Sequence, residues 1–153
     1  MSNVRPMNQW PMVAKAAEDV RLKRLTALCL ALPEVERSLR GDHADFRVQK
    51  KVFAYFLNNH HGDGVVSVCC KSELGENIDR AGSDPERFYL PAYIGSRGWF
   101  GLRLDRGAVN WREVENIVEL SYCLVAPKLL ARAVEQRGAS GNGPILRRPP
   151  AGA

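Results

Sequence analysis

The feature of the sequence that most constrains the fold is a change of hydrophobic period between residues 44 and 71. In Ala44–Gln49 apolar and polar side chains alternate, which is typical of a strand with one buried face. Val52–Leu57 is apolar on both faces and predicts a central strand, and Val65–Lys71 resumes the alternation. Because only a tight turn and the loop 58–64 separate these segments, the sequence predicts three consecutive antiparallel strands.

A helical pattern precedes these strands. Apolar residues from Val13 to Leu32 recur at helical spacing, and Pro33 is expected to end the helix because proline removes a donor and restricts the residue before it. One more short strand is expected near Arg37–Arg40.

A less regular region follows the three strands. Ser72 predicts the N-cap of a short helix that ends at Gly82. The apolar stripe of that helix is expected to be Leu74, Ile78 and Ala81. Proline in a first helical position predicts a single turn over Pro85–Phe88. A fourth strand is predicted over Trp99–Asp105.

Two helical segments end the folded body. Asn110 and Glu113 are spaced as a capping box at the start of a long apolar stripe. Pro127 is expected to break this helix and to begin a second segment that continues to Gln136.

These elements predict an α+β fold, a two-layer sandwich with an antiparallel sheet, helices packed on one face and the order α-βββ-α-β-α. Residues 13–137 are expected to form a single domain. Residues 1–12 read as a flexible arm, and residues 138–153 as a disordered Gly/Pro/Arg tail.

The net charge of +5 raises the question of nucleic-acid binding. Three of the 22 basic residues, and none of the 17 acidic ones, lie in the arm and the tail, so the body carries 19 against 17. The body is therefore only weakly basic, and only a clustered patch favours binding to DNA.

Composition excludes several other classes. The four cysteines, Cys29, Cys69, Cys70 and Cys123, form no C-x-x-C pair and are interpreted as packing residues. No segment has the length of a membrane span or the pattern of a secretory signal, so a cytoplasmic protein without a membrane role is expected.

Several short motifs give the chain a family resemblance. The most specific are Tyr93–Trp99, reading YIGSRGW, and Leu124–Lys128, reading LVAPK. They are accompanied, in order, by Leu30–Glu34, Phe46–Val48 and Pro85–Phe88. With these motifs the chain resembles the MmcQ/YjbR-like family of small bacterial proteins over roughly residues 20–137.

The resemblance implies a frataxin-like two-layer fold and a DNA-binding role. It implies no catalytic residues and no cofactor. It also leads us to expect glycine where Gln49 and Lys50 stand, so the hairpin of this chain departs from the pattern.

A candidate binding surface follows from strand parity. Phe100, Leu102 and Leu104 are expected to face the core, and the alternate residues of that strand to face outward. The outward set of the sheet then collects cations and an aromatic ring that could hold phosphates and stack a base. With the neighbouring loop, the candidate DNA- or ligand-binding residues are Arg47, Lys71, Tyr93, Arg97, Trp99 and Arg103. The alternative is an ordinary solvated face on which a loop or tail covers Trp99.

Two loops are weaker candidates. Gly95–Gly98 could cradle an anion, or could simply let the backbone approach a neighbouring helix closely. The loop residues His60, His61 and Asp63 offer metal ligands without a rigid geometry, so no metal site is predicted.

The sequence shows no nucleophile with its base, no paired acids and no phosphate loop, so a non-enzymatic protein is expected. The leading hypothesis is DNA binding through the basic and aromatic sheet face. The alternative is a module that binds a protein or a small ligand and has no nucleic-acid role.

Overall fold

The computed structural model describes residues 17–140, with side chains as far as Arg137. It contains a six-stranded sheet and four α-helices, and all strand pairs are antiparallel. The predicted α+β class is therefore confirmed. The predicted arm 1–12, the start of the predicted first helix at 13–16 and residues 141–153 of the predicted tail lie outside the described residues.

The strands follow the order β1-β2-β3-β4-β6-β5 across the sheet. They are β1 Val35–Arg40, β2 His43–Val48, β3 Lys51–Asn58, β4 Val66–Lys71, β5 Phe88–Tyr89 and β6 Trp99–Arg103. The helices are α1 Val20–Leu30, α2 Glu76–Ser83, α3 Trp111–Val125 and α4 Lys128–Ser140. The expected extra strand near Arg37–Arg40 is β1.

The core lies between one face of the sheet and helices α1 and α3. The Tyr122 ring of α3 packs edge-on against Phe53 at a centroid distance of 5.3 Å. The Ser121 hydroxyl donates to the Phe53 carbonyl at 2.6 Å and accepts from the Lys71 backbone N–H at 2.8 Å. These bonds fix α3 on the two central strands, so the helices cover one face, as predicted.

The first helix begins later than predicted in the part of the chain that is described. Residues 17–19 are not helical, because Asp19 is the N-cap and its carboxylate accepts from the Arg21 backbone N–H at 2.8 Å. The Arg21 guanidinium binds the same carboxylate at 2.8 Å. The helix ends at Leu30, close to the predicted stop at Pro33.

The hairpin between β2 and β3 is a two-residue turn at Gln49 and Lys50. Both have positive φ, 46° and 68°, which is the type I′ geometry that fits the twist of adjoining strands. The register shifts by one residue beyond Phe46, and this bulge lets Phe53 face the core although the alternation of β3 alone does not predict it.

The prediction for α2 was wrong in its start and its buried side. Gly75, not Ser72, is the N-cap, and the Ser72 hydroxyl instead donates to the Gly98 carbonyl at 2.8 Å. Leu74 and Ile78 are 77% and 60% exposed, while the buried side chain of this helix is Asn77. This helix therefore buries a polar side chain in place of the expected apolar stripe.

The segment after α2 combines the predicted turn with an unpredicted strand. The Asp84 carbonyl accepts from the backbone N–H groups of Arg87 and Phe88, and Phe88–Tyr89 then pairs with β6. A two-residue strand is too short to leave an alternation in the sequence.

The C-terminal helices agree with prediction. The Asn110 side chain accepts from the backbone N–H groups of Arg112 and Glu113, at 3.1 Å and 3.2 Å. Ala126 is extended, and α4 begins at Lys128 and runs past the expected end at Gln136. No helix in the described range is long and apolar enough to cross a bilayer.

Candidate functional site

The two sheet-face arginines proposed as phosphate contacts are both held in ion pairs. Asp45 accepts from the Arg47 guanidinium at 3.0 Å and 3.3 Å, and Asp105 accepts from Arg103 at 2.9 Å and 3.1 Å. Each acid stands two residues from its partner on the same strand face. The charges of both arginines are therefore neutralised locally.

The other two cations are Lys71 and Arg97. Lys71 is half-buried opposite Trp99 on β6, and Arg97 is exposed in a 3-10 turn over Gly95–Arg97. Within residues 17–137 no carboxylate pairs with either side chain. Along β4, Lys71 is four residues from the partner of Arg103, about 13 Å at the usual strand rise. Lys71 and Arg103 therefore stand at opposite ends of the β4–β6 pairing.

The outward side chain expected to be available for stacking is buried. Trp99 has the predicted parity but is only 8% exposed, and its ring lies 5.3 Å from the Tyr55 ring across the outer face. Stacking on a base would require Trp99 to leave this contact. Tyr93, in contrast, is 89% exposed.

A second part of the outer face is closed by Tyr89. Its ring lies over Gly101, where a Cβ would overlap the ring, and its hydroxyl is 2.7 Å from the Ser67 hydroxyl. The same hydroxyl is 3.5 Å from the Cys69 sulfur. Burial raises the pKa of Cys69 to about 11, so this cysteine remains a protonated thiol at neutral pH.

Another part of the outer face is an open cleft of about 360 Å³. Its floor is formed by β2 and β3, and one wall by the segment that follows β5. The lining residues are Arg40, His43, Ala44, Asp45, Tyr55, Leu57, His60, His61, Pro91, Ala92, Tyr93 and Ile94. We call this space the sheet-face cleft.

One end of the sheet-face cleft is polar, and a backbone hydrogen bond there fixes which ring nitrogen of His43 carries the proton. The Asn58 backbone N–H donates to His43 Nδ1 at 3.1 Å, so that nitrogen carries a lone pair and the proton of the neutral ring is on Nε2. Arg40 lies directly across from His43 in the β1–β2 register. His43 Nε2–H and the Arg40 guanidinium are therefore both donors.

Two further imidazoles border this end. The rings of His60 and His61 are 3.8 Å apart, and His43 meets His60 edge-on at 5.3 Å. Burial, followed by repulsion from His61 and His43, lowers the pKa of His60, so this ring is neutral at pH 7. No group of three metal-binding side chains is found within the described residues.

The wall of the cleft is attached to the sheet through a buried amide. Asn77 Nδ2 donates to the Gly95 carbonyl at 2.7 Å and to the Trp99 carbonyl at 3.1 Å. At Gly98, which has a φ of 93°, a Cβ would meet the Ser72 carbonyl. The glycine in this loop thus permits close backbone approach, to the end of β4 rather than to the helix that the sequence suggested.

The comparisons with known proteins agree with this architecture. The YjbR family model matches residues 30–124, which is more than half of the chain. The chain belongs to the YjbR family. No functionally curated protein matches this chain significantly.

One solved structure shows the same YjbR fold. It is the crystal structure of Deinococcus radiodurans protein DR2400, which has the DUF419 domain. The alignment has a TM-score of 0.58 and 17% sequence identity, and it covers 74% of this chain and 87% of that one. At this identity the likeness establishes the fold.

Reasoning from the sequence did not identify several residues of the cleft. His43 seemed isolated, because its neighbours come from β1 and from the loop after β3. Tyr55 and Leu57 read as core residues in a strand that is apolar on both faces. Parity counted from Arg47 across the hairpin puts Tyr55 in the core, and only the register shift beyond Phe46 sets Tyr55 opposite Asp45 on the outer face. No local pattern predicts that residues 91–94 border the cleft.

Proposed function

We propose that this YjbR-family protein is a non-enzymatic binding protein that holds a small, flat ligand in the sheet-face cleft. The observation that carries the proposal is the cleft itself, with apolar side chains on its floor and wall and a few polar groups at one end. Its volume is in the lower part of the range of about 300–1,000 Å³ that is usual for small-molecule sites. Tyr55, Leu57 and Ile94 offer contacts suited to an aromatic or aliphatic body.

Binding without catalysis is proposed because two reactive groups near the cleft, His43 Nδ1 and the Cys69 thiol, are already committed. The Nδ1 lone pair of His43 is used by Asn58, so this ring presents a donor rather than a base. The Cys69 thiol is buried beneath Tyr89 and is protonated at neutral pH.

DNA binding is the second candidate. Lys71 and Arg97, which pair with no carboxylate of the described residues, favour it, as does the role implied by the family resemblance. It ranks second because the Arg47 and Arg103 charges are each offset by an adjacent aspartate. A protein that tracks a phosphate backbone needs cations that can release counterions on binding.

Ligand-observed NMR with 1-naphthamide, a neutral two-ring probe, tests the proposal on the full chain. We expect the wild type to broaden the probe signals and Ala92→Trp, which places an indole in the cleft, to weaken binding at least fivefold. The matched control is Ala133→Trp, an exposed position on α4 in the helix layer. Equal broadening by all three proteins, or none, would contradict the proposal.

A parallel titration tests the second candidate. Anisotropy of a labelled mixed-sequence duplex would be measured from about 50 to 200 mM salt for the wild type, Arg47→Ala and Arg103→Ala. The cleft proposal predicts the same salt slope for all three. A decrease of about one in the slope for each variant would favour DNA binding.

A further inference from the structure

We infer that the ligand of the sheet-face cleft carries an anionic acceptor group, such as a carboxylate, on a flat apolar body. This inference rests on the proposed function and names the class of ligand. Its basis is the polarity of the cleft, in which His43 Nε2–H and the Arg40 guanidinium are donors at one end while the floor and the opposite wall are mainly apolar or aromatic.

The fixed donor at this end is His43 Nε2–H. Because Nδ1 accepts from the Asn58 backbone at 3.1 Å, the ring can meet a ligand only through its other nitrogen, which carries the proton. Among the described residues Nε2 has no hydrogen-bond partner. A ligand group that contacts it must be an acceptor, which a carboxylate is and an ammonium is not.

The charge at this end comes from Arg40. Arg40 and His43 are paired across β1 and β2, so their side chains emerge side by side on the outer face. Within residues 17–137 no carboxylate forms an ion pair with Arg40. Asp42, in the turn between the two strands, is exposed and does not line the cleft.

The acid that does line the cleft, Asp45, does not cancel this charge. It is buried and accepts two bonds from Arg47, which already balance its charge. The pair is neutral as a unit, which leaves Arg40 as the net charge among the residues that line the polar end. An anion is therefore favoured there, and a cationic ligand is opposed.

The remaining surface suits a flat body. The Tyr55 and His60 rings supply planar faces, and Leu57 and residues 91–94 supply aliphatic contacts. The combination of donors at one end and apolar walls beyond is complementary to an aromatic carboxylate.

The test compares two probes of nearly the same shape, 1-naphthoate and 1-naphthamide, on the full chain. The wild type is expected to bind the carboxylate about three- to tenfold more tightly, a modest preference because water screens the exposed Arg40. Arg40→Gln should bring the ratio of affinities close to one, and Arg40→Lys should retain part of the preference. Arg132→Gln, at an exposed position on α4, is the matched control and should retain all of it.

A second readout follows the imidazole directly. In nitrogen-15 spectra, 1-naphthoate should shift the His43 Nε2 resonance and leave Nδ1, which is held by Asn58, nearly unchanged. Equal affinity of the wild type for both probes, or a preference that survives Arg40→Gln, would overturn the inference and leave the proposed function standing. Binding of neither probe would overturn both.

Discussion

Gly101 is the residue that allows the outer face of the sheet to be closed at Tyr89. It pairs with Tyr89 on β5 and with Cys69 on β4, and the Tyr89 ring occupies the space where a side chain would stand. The phenol then reaches the Ser67 hydroxyl at 2.7 Å. A glycine in a strand interior is normally unfavourable, and here the ring that it admits offsets that cost.

Gly101→Ala is predicted to destabilise the protein by about 1–3 kcal/mol, the usual cost of overpacking, because the new methyl group displaces the Tyr89 ring. Urea unfolding of the full chain measures this cost. The double variant with Tyr89→Ala is the control, since removing the ring should remove most of the penalty. The same penalty in both backgrounds would contradict the explanation.

At the residue scale, the alternation of side chains along the strands was a better guide to the site than the charges of individual residues. The alternation correctly placed Arg47 and Arg103 on the outer face, yet the same rule puts Asp45 and Asp105 beside them two residues away. These two ion pairs could therefore have been predicted from the sequence. The burial of Trp99 was not, because it depends on Tyr55 from another strand.

At the scale of elements, the wall of the cleft depends on α2. This helix is short and exposes Ile78, and Leu74 just before it is exposed as well, so apolar burial contributes little to holding it. Its attachment instead comes from Asn77, whose amide donates to carbonyls on both sides of the 3-10 turn. Residues 95 and 99 are thereby held at a fixed spacing, and the preceding wall segment is anchored with them.

Asn77→Ala is predicted to cost about 1–3 kcal/mol, because the buried Trp99 carbonyl and the half-buried Gly95 carbonyl lose the amide donor, and to weaken 1-naphthamide binding by loosening the wall. Asn77→Asp keeps the shape but turns a donor into an acceptor and buries a charge, so its loss should be larger. Urea unfolding and the NMR titration measure the two effects. An aspartate variant as stable as the wild type would contradict this role.

Elements were predictable where their periodicity was long. The strands over residues 43–71 and the helix α3 have enough alternating or helical positions to stand out, and they were placed correctly. The strand β5 has two residues, and α2 is held by an amide rather than by an apolar stripe. Neither leaves a pattern, so this part of the site could not be predicted from the sequence.

For the molecule as a whole, the two-layer arrangement explains why the site lies where it does. The helices occupy one face of the sheet, and among the described residues the other face is covered by side chains such as Tyr89 and by the loop before β6. The two-layer arrangement could be predicted from the sequence, because strands with one apolar and one polar face need helices on the apolar face only. The cleft is what this partial cover leaves open.

Stability should fall in two steps as the solution becomes acidic. The pKa of His60 is lowered by burial and neighbouring imidazoles, so the unfolded chain binds its proton first and stability drops as pH falls through about 6.5. The pKa values of Asp19 and Asp105 are lowered by hydrogen bonds from Arg21 and Arg103. Their contribution is complete above the ordinary Asp pKa of about 3.9 and is lost below it.

Each aspartate pair is partly exposed, so a contribution of about 0.5–1 kcal/mol is expected from each. Glu119 acts in the opposite direction, because burial raises its pKa and protonation on acidification favours the folded state. Glu119 therefore offsets part of the destabilisation that His60 and the two aspartates cause on acidification.

Urea unfolding at pH 7, 5.5 and 3 checks this prediction on the full chain. His60→Gln should remove most of the first step, and Asp105→Asn should lower stability at pH 7 while reducing the second step. Asp79→Asn, at an exposed position on α2, is the control and should leave both steps in place. A first step that persists in His60→Gln would assign it to another group, and the same change in stability between pH 5.5 and 3 in the wild type and in Asp105→Asn would show that the Asp105 pair does not stabilise the fold.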